Sequence, residues 1–208
     1  EPLGAFVTAP ISLAARSPAQ NRQAVSYPGG FLLHTGWPNP GFERVLKQNA
    51  EKWRKLSTPV WVHLLPQTPA ELPLMIQPLE TLENVAAIEL GIPPGASLKD
   101  ILDFIQAAAA ELPVMVCLGL DEIQNGWGTA LKKAGASGLV LCTPRGTMRT
   151  HGLLVRGRLY GPALFPQMLN AVVQIANSGL PLVASGGVFT LADGNALLDA
   201  GASAVQLD

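Results

Sequence analysis

The chain has 208 residues, of which 48% are hydrophobic and 14% charged, with a formal net charge of −1. An ordinary soluble domain is roughly 25% charged, so part of this weakly charged surface suits cover by a partner, and the balance of charge gives no reason to expect binding to nucleic acid or to an anionic membrane. No apolar stretch reaches the roughly 18 to 20 residues of a membrane span and no signal peptide is visible, so the expectation is one cytoplasmic domain over 1–208.

In chain order the predicted strands are 4–8, 59–64, 85–90, 113–118, 138–142, 181–185 and 204–207. Pro59, Pro113 and Pro181 each open an apolar run, the one place where a buried strand tolerates proline. Ala134-Gly135-Ala136-Ser137 and Ala200-Gly201-Ala202-Ser203 are near-copies, and each leads directly into a strand, so a helix end and a glycine stop are used twice. Helix starts are read at Asn39-Pro40, at Thr68-Pro69-Ala70-Glu71 as a capping box, and at Ser97 before Leu98, Ile101, Leu102 and Ile105. Leu164, Met168, Val172 and Ile175 continue the helical spacing. Alternation of strand and helix predicts an α/β protein with a parallel sheet, because parallel neighbours need a helical crossover.

Two stretches, 10–38 and 143–162, are too rich in turn formers for one helix, and each follows a strand. In a (β/α)8 barrel the strand's carboxyl end carries the active site. An open doubly wound sheet is the competing fold, but no Gly-x-Gly-x-x-Gly follows a strand, and the barrel is preferred. Cys117 and Cys142 lie in apolar runs and are expected to be reduced core thiols. Gly186-Gly187 follows a strand and precedes the helix-start signal Thr190-Leu191-Ala192-Asp193. That order suits a phosphate held by backbone amides, and equally a tight turn with no ligand.

Several segments together resemble the FMN-dependent dihydroorotate dehydrogenases. They are Gly4-Ala5-Phe6-Val7-Thr8, Arg16 with the run from Pro18 to Arg22, Gly36-Trp37-Pro38-Asn39-Pro40-Gly41, Ala87-Ile88-Glu89-Leu90, Gly157-Arg158-Leu159-Tyr160-Gly161-Pro162-Ala163, and the tail from Pro181 to Leu207. The resemblance runs from end to end of the chain. It implies a TIM (β/α)8 barrel with FMN at its mouth, contacted by Gly161, Gly186 and Gly187. It also implies that the first strand is absent and the C-terminal strand truncated.

The family pattern fails at the substrate pocket. Ala9 and Cys117 stand where lysines are expected, Leu33, His63 and Gly91 where asparagines are, and Thr143-Pro144 where an Asn-Thr pair is. The loop Gly91-Ile92-Pro93-Pro94-Gly95 has neither Cys nor Ser to act as base, and Asp208 replaces a phosphate-facing glycine. The pocket candidates left are His63 (general base or hydrogen-bonded rim histidine), Cys117 (nucleophile or inert thiol) and Thr143. Arg145 is read as an anion contact or a solvated loop residue, and no metal spacing is found.

The expectation is a flavoprotein oxidoreductase with a rebuilt or lost substrate site, not acting on dihydroorotate, with a small-molecule ligand and a homo-oligomer or partner subunit. A non-catalytic scaffold and a phosphometabolite-binding barrel without flavin are the alternatives. Gly187→Asp is expected to abolish phosphate binding, with little effect on folding if the turn tolerates it.

Overall fold

A computed structural model describes residues 3–124 and 126–207. Asp208, whose sequence position suggested a carboxylate facing a phosphate, lies outside the described residues. In chain order the elements are β1 (Phe6–Val7), β2 (Gln23–Tyr27), β3 (Gly30–His34), α1 (Phe42–Arg54), β4 (Val60–Leu64), α2 (Leu72–Glu80), β5 (Val85–Gly91), α3 (Leu98–Ala107) and β6 (Val114–Gly119). They continue with α4 (Trp127–Ala134), β7 (Gly138–Cys142), β8 (Arg145–Thr150), β9 (Leu153–Tyr160), α5 (Phe165–Ile175), β10 (Leu182–Ser185), α6 (Leu191–Asp199) and β11 (Ala204–Gln206). Two compact units share the chain: Glu1–Ser17, Trp37–Cys117 and Ala130–Ser137 form the first, and Pro18–Gly36, Leu118–Thr129 and Gly138–Asp208 the second.

In the first unit β1, β4, β5 and β6 pair in that order, all parallel. Every residue of β6, and all of β5 but one, is buried, which is why these strands read as continuous apolar runs rather than alternating ones. Leu72, Met75, Ile76 and Leu79 of α2 and Ile101, Phe104 and Ile105 of α3 are buried at helical spacing. The Asn84 amide lies 2.9 Å from the Trp53 carbonyl, 3.1 Å from that of Leu56 and 3.1 Å from that of Thr58, tying the end of α1 to the entry of β5.

In the second unit β7, β10 and β11 are parallel in that order. The same unit holds an antiparallel sheet in the order β2-β3-β9-β8. The stretches 10–38 and 143–162 thus contain two hairpins that pair with each other. Their strands carry no clear sequence signal because Gly146 and Gly157 face each other across the β8–β9 pair and interrupt the apolar alternation.

The helix starts divide. Ser97 with Asp100, and Thr190 with Asp193, form reciprocal capping boxes. The Thr68 box does not form. A 3-10 turn over Pro69–Glu71 intervenes, and the Glu71 carboxylate instead accepts from the Gln67 N–H at 2.9 Å. Asn39 is not the N-cap of α1. Gly41 is, and the Asn39 side chain accepts the Gly41 N–H at 3.1 Å while binding the Ser12 hydroxyl. Neither Cys117 nor Cys142 is a free thiol, which overturns the expectation of reduced core thiols. A strand position in the sequence sets burial but not the sulfur separation that decides bonding.

Candidate functional site

The parallel register sets His63 on β4 beside Glu89 on β5. His63 Nδ1 lies 2.7 Å from Glu89 Oε1. Glu89 is only 1% exposed and His63 8%. The His63 N–H donates to Thr8 Oγ1 at 3.0 Å, and its carbonyl accepts from the Ile11 N–H at 2.9 Å, so the backbone under the ring is held from two sides. His63 Nε2 and Glu89 Oε2 are both buried and have no hydrogen-bond partner among the described residues.

A carboxylate taken out of water this completely is costly unless its lone pairs are met, and a buried nitrogen left unmatched costs about 1–3 kcal/mol. Packing alone does not explain why both are buried. With Nδ1 donating to the carboxylate, Nε2 keeps its lone pair. An imidazole oriented this way by an acid is the arrangement of a general base.

Gly91, at the end of β5, completes the arrangement. A Cβ there would sit 2.5 Å from Leu65 Cδ2 and 2.8 Å from His63 Nε2, so the imidazole occupies the volume a side chain at 91 would need. His63 stands out in the sequence by residue type, whereas Glu89 does so only as part of a matching segment. Its signal is a single carboxylate in the apolar run Val85–Gly91. Cys117 pairs in register with Gly91 and is 3% exposed, and because it is not a free thiol it is removed as a thiolate nucleophile.

In the second unit Thr143, 2% exposed, follows β7 and meets Gly186, which follows β10. A Cβ on Gly186, whose φ is +112°, would lie 2.1 Å from Thr143 Cγ2. On Gly187, at φ +75°, it would lie 2.8 Å from the Phe165 nitrogen. Both glycines are therefore demanded by the turn itself. Gly161 is a third glycine at positive φ, +138°. It packs where the chain crosses Gly29, with a Cβ clash at 2.2 Å from that carbonyl. The expected tolerance of the fold for Gly187→Asp is overturned, because the new side chain would strike main chain.

The N-terminus of α6 is already engaged. The Asp193 carboxylate accepts from the N–H groups of Phe189 at 3.0 Å and Thr190 at 2.8 Å. Those bonds, the Phe189 amide first and then the Thr190 side chain, hold its carboxyl below the usual carboxylate range. The amides of Phe189 and Thr190 are thus taken by Asp193, and that of Asp193 by the Thr190 hydroxyl at 3.2 Å, so an anion at this turn would not meet those three. Arg145 is no solvated loop residue: it opens β8, its N–H donates to Asp121 Oδ1 at 3.2 Å, and Arg158 Nη1 donates to the Thr143 carbonyl at 3.0 Å. Among the described residues no group of three His, Cys, Asp or Glu side chains is placed to hold a metal, and no helix is long and apolar enough to cross a membrane.

Comparison with known proteins gives a consistent set of relatives. The chain is 31% identical to the dihydroorotate dehydrogenase B (NAD(+)) catalytic subunit of Cutibacterium acnes, over 98% of this chain and 74% of that protein. It is 29% identical to the protein of the same description from Trichlorobacter lovleyi, over 100% of this chain and 75% of the relative. Among solved structures it is similar to FabK from Thermotoga maritima, with a TM-score of 0.52 at 16% identity, covering 83% of this chain. The M276A mutant of that protein gives 0.51 at 17% identity and 79% coverage. The chain spans 48% of each of these two structures, and at such identity the likeness speaks for the fold alone. No protein-family model matches the chain.

Proposed function

Because the chain belongs to the dihydroorotate dehydrogenase family, we propose that it is a flavoprotein oxidoreductase that uses FMN and whose substrate pocket has been rebuilt for a small molecule other than dihydroorotate. On this reading its parallel strands belong to a (β/α)8-type barrel, a view supported by the likeness to FabK.

The observation that carries the reading is the His63–Glu89 pair with Gly91 beside it. The family pattern has asparagines at positions 63 and 91, where they hold substrate. Here one has become a histidine whose ring takes the space that the other, now glycine, has given up. A pocket that had simply decayed would not be expected to keep two polar groups buried and matched to each other, since well-packed apolar residues in place of both would spare the desolvation cost.

Bound FMN would supply hydride acceptance. Gly186 and Gly187 would hold its phosphate through main chain alone, which fits a turn that carries no side chain at either position. His63 would take the substrate proton at Nε2, the role for which the loop 91–95 offers no Cys or Ser. Glu89 would hold the imidazole in the tautomer with the proton on Nδ1 and favour the imidazolium that forms. The description of the relatives as catalytic subunits supports a partner subunit for this chain as well.

The test is to load the protein with FMN and mix it anaerobically with dihydroorotate while following flavin absorbance. The expected result is no bleaching beyond that of free FMN. Stoichiometric bleaching would overturn the rebuilt-pocket reading and return the chain to the family's own reaction.

A further inference from the structure

We propose that the outer face of the β2-β3-β9-β8 sheet is a docking surface for a protein partner that presents carboxylates around an apolar spot. Residues opposite each other in an antiparallel pair share a face, and the register sets Arg145 opposite Arg158, Thr147 opposite Arg156 and Arg149 opposite Leu154. Tyr160 and Phe31 continue the same face on the next pair of strands, with ring centroids 5.3 Å apart. The opposite face is core, with Leu32 at 0% and Val155 at 6% exposure. All four arginines of this sheet therefore stand on one side, and none of its strands contains Asp or Glu. In a chain of net charge −1, this is a sharply local concentration of positive charge.

The placement carries an internal cost. Like charges directly across a strand pair destabilise it, and the neighbouring Arg158 and Arg156 add to burial in lowering the Arg145 guanidinium from its ordinary value. Asp121 and Glu122 oppose that shift at Arg145. Toward the hairpin tip, Arg149 and Arg156 are exposed on either side of Leu154, which is 69% exposed. An anionic partner would relieve the repulsion and cover the leucine together.

The choice of occupant follows from the same residues. A second copy docking on this face would set arginines against arginines about a two-fold axis. A single-stranded nucleic acid gains from aromatic faces on which to stack its bases, but Phe31 and Tyr160 are stacked on each other at 15°, and a duplex held through its phosphates would leave Leu154 without an apolar partner. A small anion would leave Leu154 in water. A protein surface with acidic residues around an apolar centre meets all of these features, since arginine and aromatic groups anchor interfaces and complementary charge sets their specificity.

The probe is a short labelled peptide with two central leucines flanked by glutamates, titrated onto the intact protein by fluorescence anisotropy. Three further probes run in parallel: a glutamate peptide lacking the leucines, a single-stranded oligothymidylate and phosphatidylglycerol vesicles. The leucine-centred peptide should bind best and weaken with salt. The Arg149→Glu/Arg156→Glu double variant should lose about tenfold in affinity or more with a melting temperature no lower than the parent's. Leu154→Ala should weaken the leucine-centred peptide and leave the glutamate peptide unaffected. No binding of the leucine-centred peptide, equal binding to the double variant, or tighter binding of the oligonucleotide or the vesicles would each overturn the proposal. None of these readouts depends on flavin, so the result is separate from the fate of the proposed oxidoreductase function.

Discussion

The ends of β4 and β5 carry their chemistry on side chains, while the ends of β7 and β10 carry theirs on the main chain. At the first, His63 and Glu89 are buried together with one unmatched polar atom each, and a glycine makes room for the ring. At the second, Gly186 and Gly187 are fixed by contact with Thr143 and Phe165, and the helix that follows is capped by Thr190 and Asp193. The difference shows how a family pattern drifts. A turn whose geometry admits only glycine has little freedom to change, so it persists whether or not a ligand is held. A side-chain pocket can be exchanged residue for residue as long as volume and hydrogen bonds are kept, and its new contents are then the better guide to chemistry.

The comparison can be broken most forcefully at Glu89. Glu89→Ala should cost about 3–5 kcal/mol in a denaturant titration, since it strips a buried imidazole of its partner. Glu89→Gln, which keeps an acceptor for Nδ1, should stay within about 1.5 kcal/mol of the parent. Equal losses in the two variants would mean that the pair depends on the carboxylate's charge and that an amide acceptor for Nδ1 cannot replace it.

Next in size is the exchange at positions 63 and 91. Gly91→Asn alone should destabilise by about 2–3 kcal/mol, because its Cβ would press on Leu65 and His63. Adding His63→Asn should recover about 0.5–3 kcal/mol of that loss, the coupling expected of residues sharing one volume. Strict additivity in this double-mutant cycle would refute the claim that the two replacements compensate each other.

At the main-chain end, Gly187→Ala should cost about 1–3 kcal/mol from the positive φ and the approach to the Phe165 nitrogen. A stability matching the parent would show that this turn adapts and that its glycines answer to a ligand instead. The smallest effects belong to the α6 cap. Thr190→Ala should cost about 1 kcal/mol by thermal melting.

The Asp193 carboxyl sits below its ordinary value in the fold, so its contribution is present at pH values above the unfolded carboxylate range and fades as pH falls through that range and below it. Protection from amide exchange at Phe189 and Thr190, taken relative to the intrinsic rate at each pH, should fall on acidification. A rate that follows only the intrinsic pH trend would show that the cap does not depend on ionisation.

The parallel strands are legible in the sequence because each is a short apolar run opened by proline or preceded by a glycine stop, and those devices are local. The antiparallel sheet is not, since pairing 10–38 with 143–162 is a long-range event that leaves no periodic mark in either segment alone. His63 can be singled out by residue type, but Glu89 gains its meaning only from the register that sets it beside β4. That Cys117 and Cys142 are not free thiols is hidden for the same reason, because it depends on distances that no single strand encodes. The arginines at 145, 149, 156 and 158 are visible one by one, and only the strand pairing shows that they share a face.

The account's central claim, that this member of the family remains a flavoprotein, is tested most directly by titrating the purified protein with FMN and following quenching of flavin fluorescence and the shift of its absorbance bands. The account predicts saturable binding at one FMN per chain, weakened by Gly187→Asp at temperatures where that variant is still folded. Absence of binding at high micromolar FMN would contradict it and leave an α/β protein that has abandoned redox chemistry.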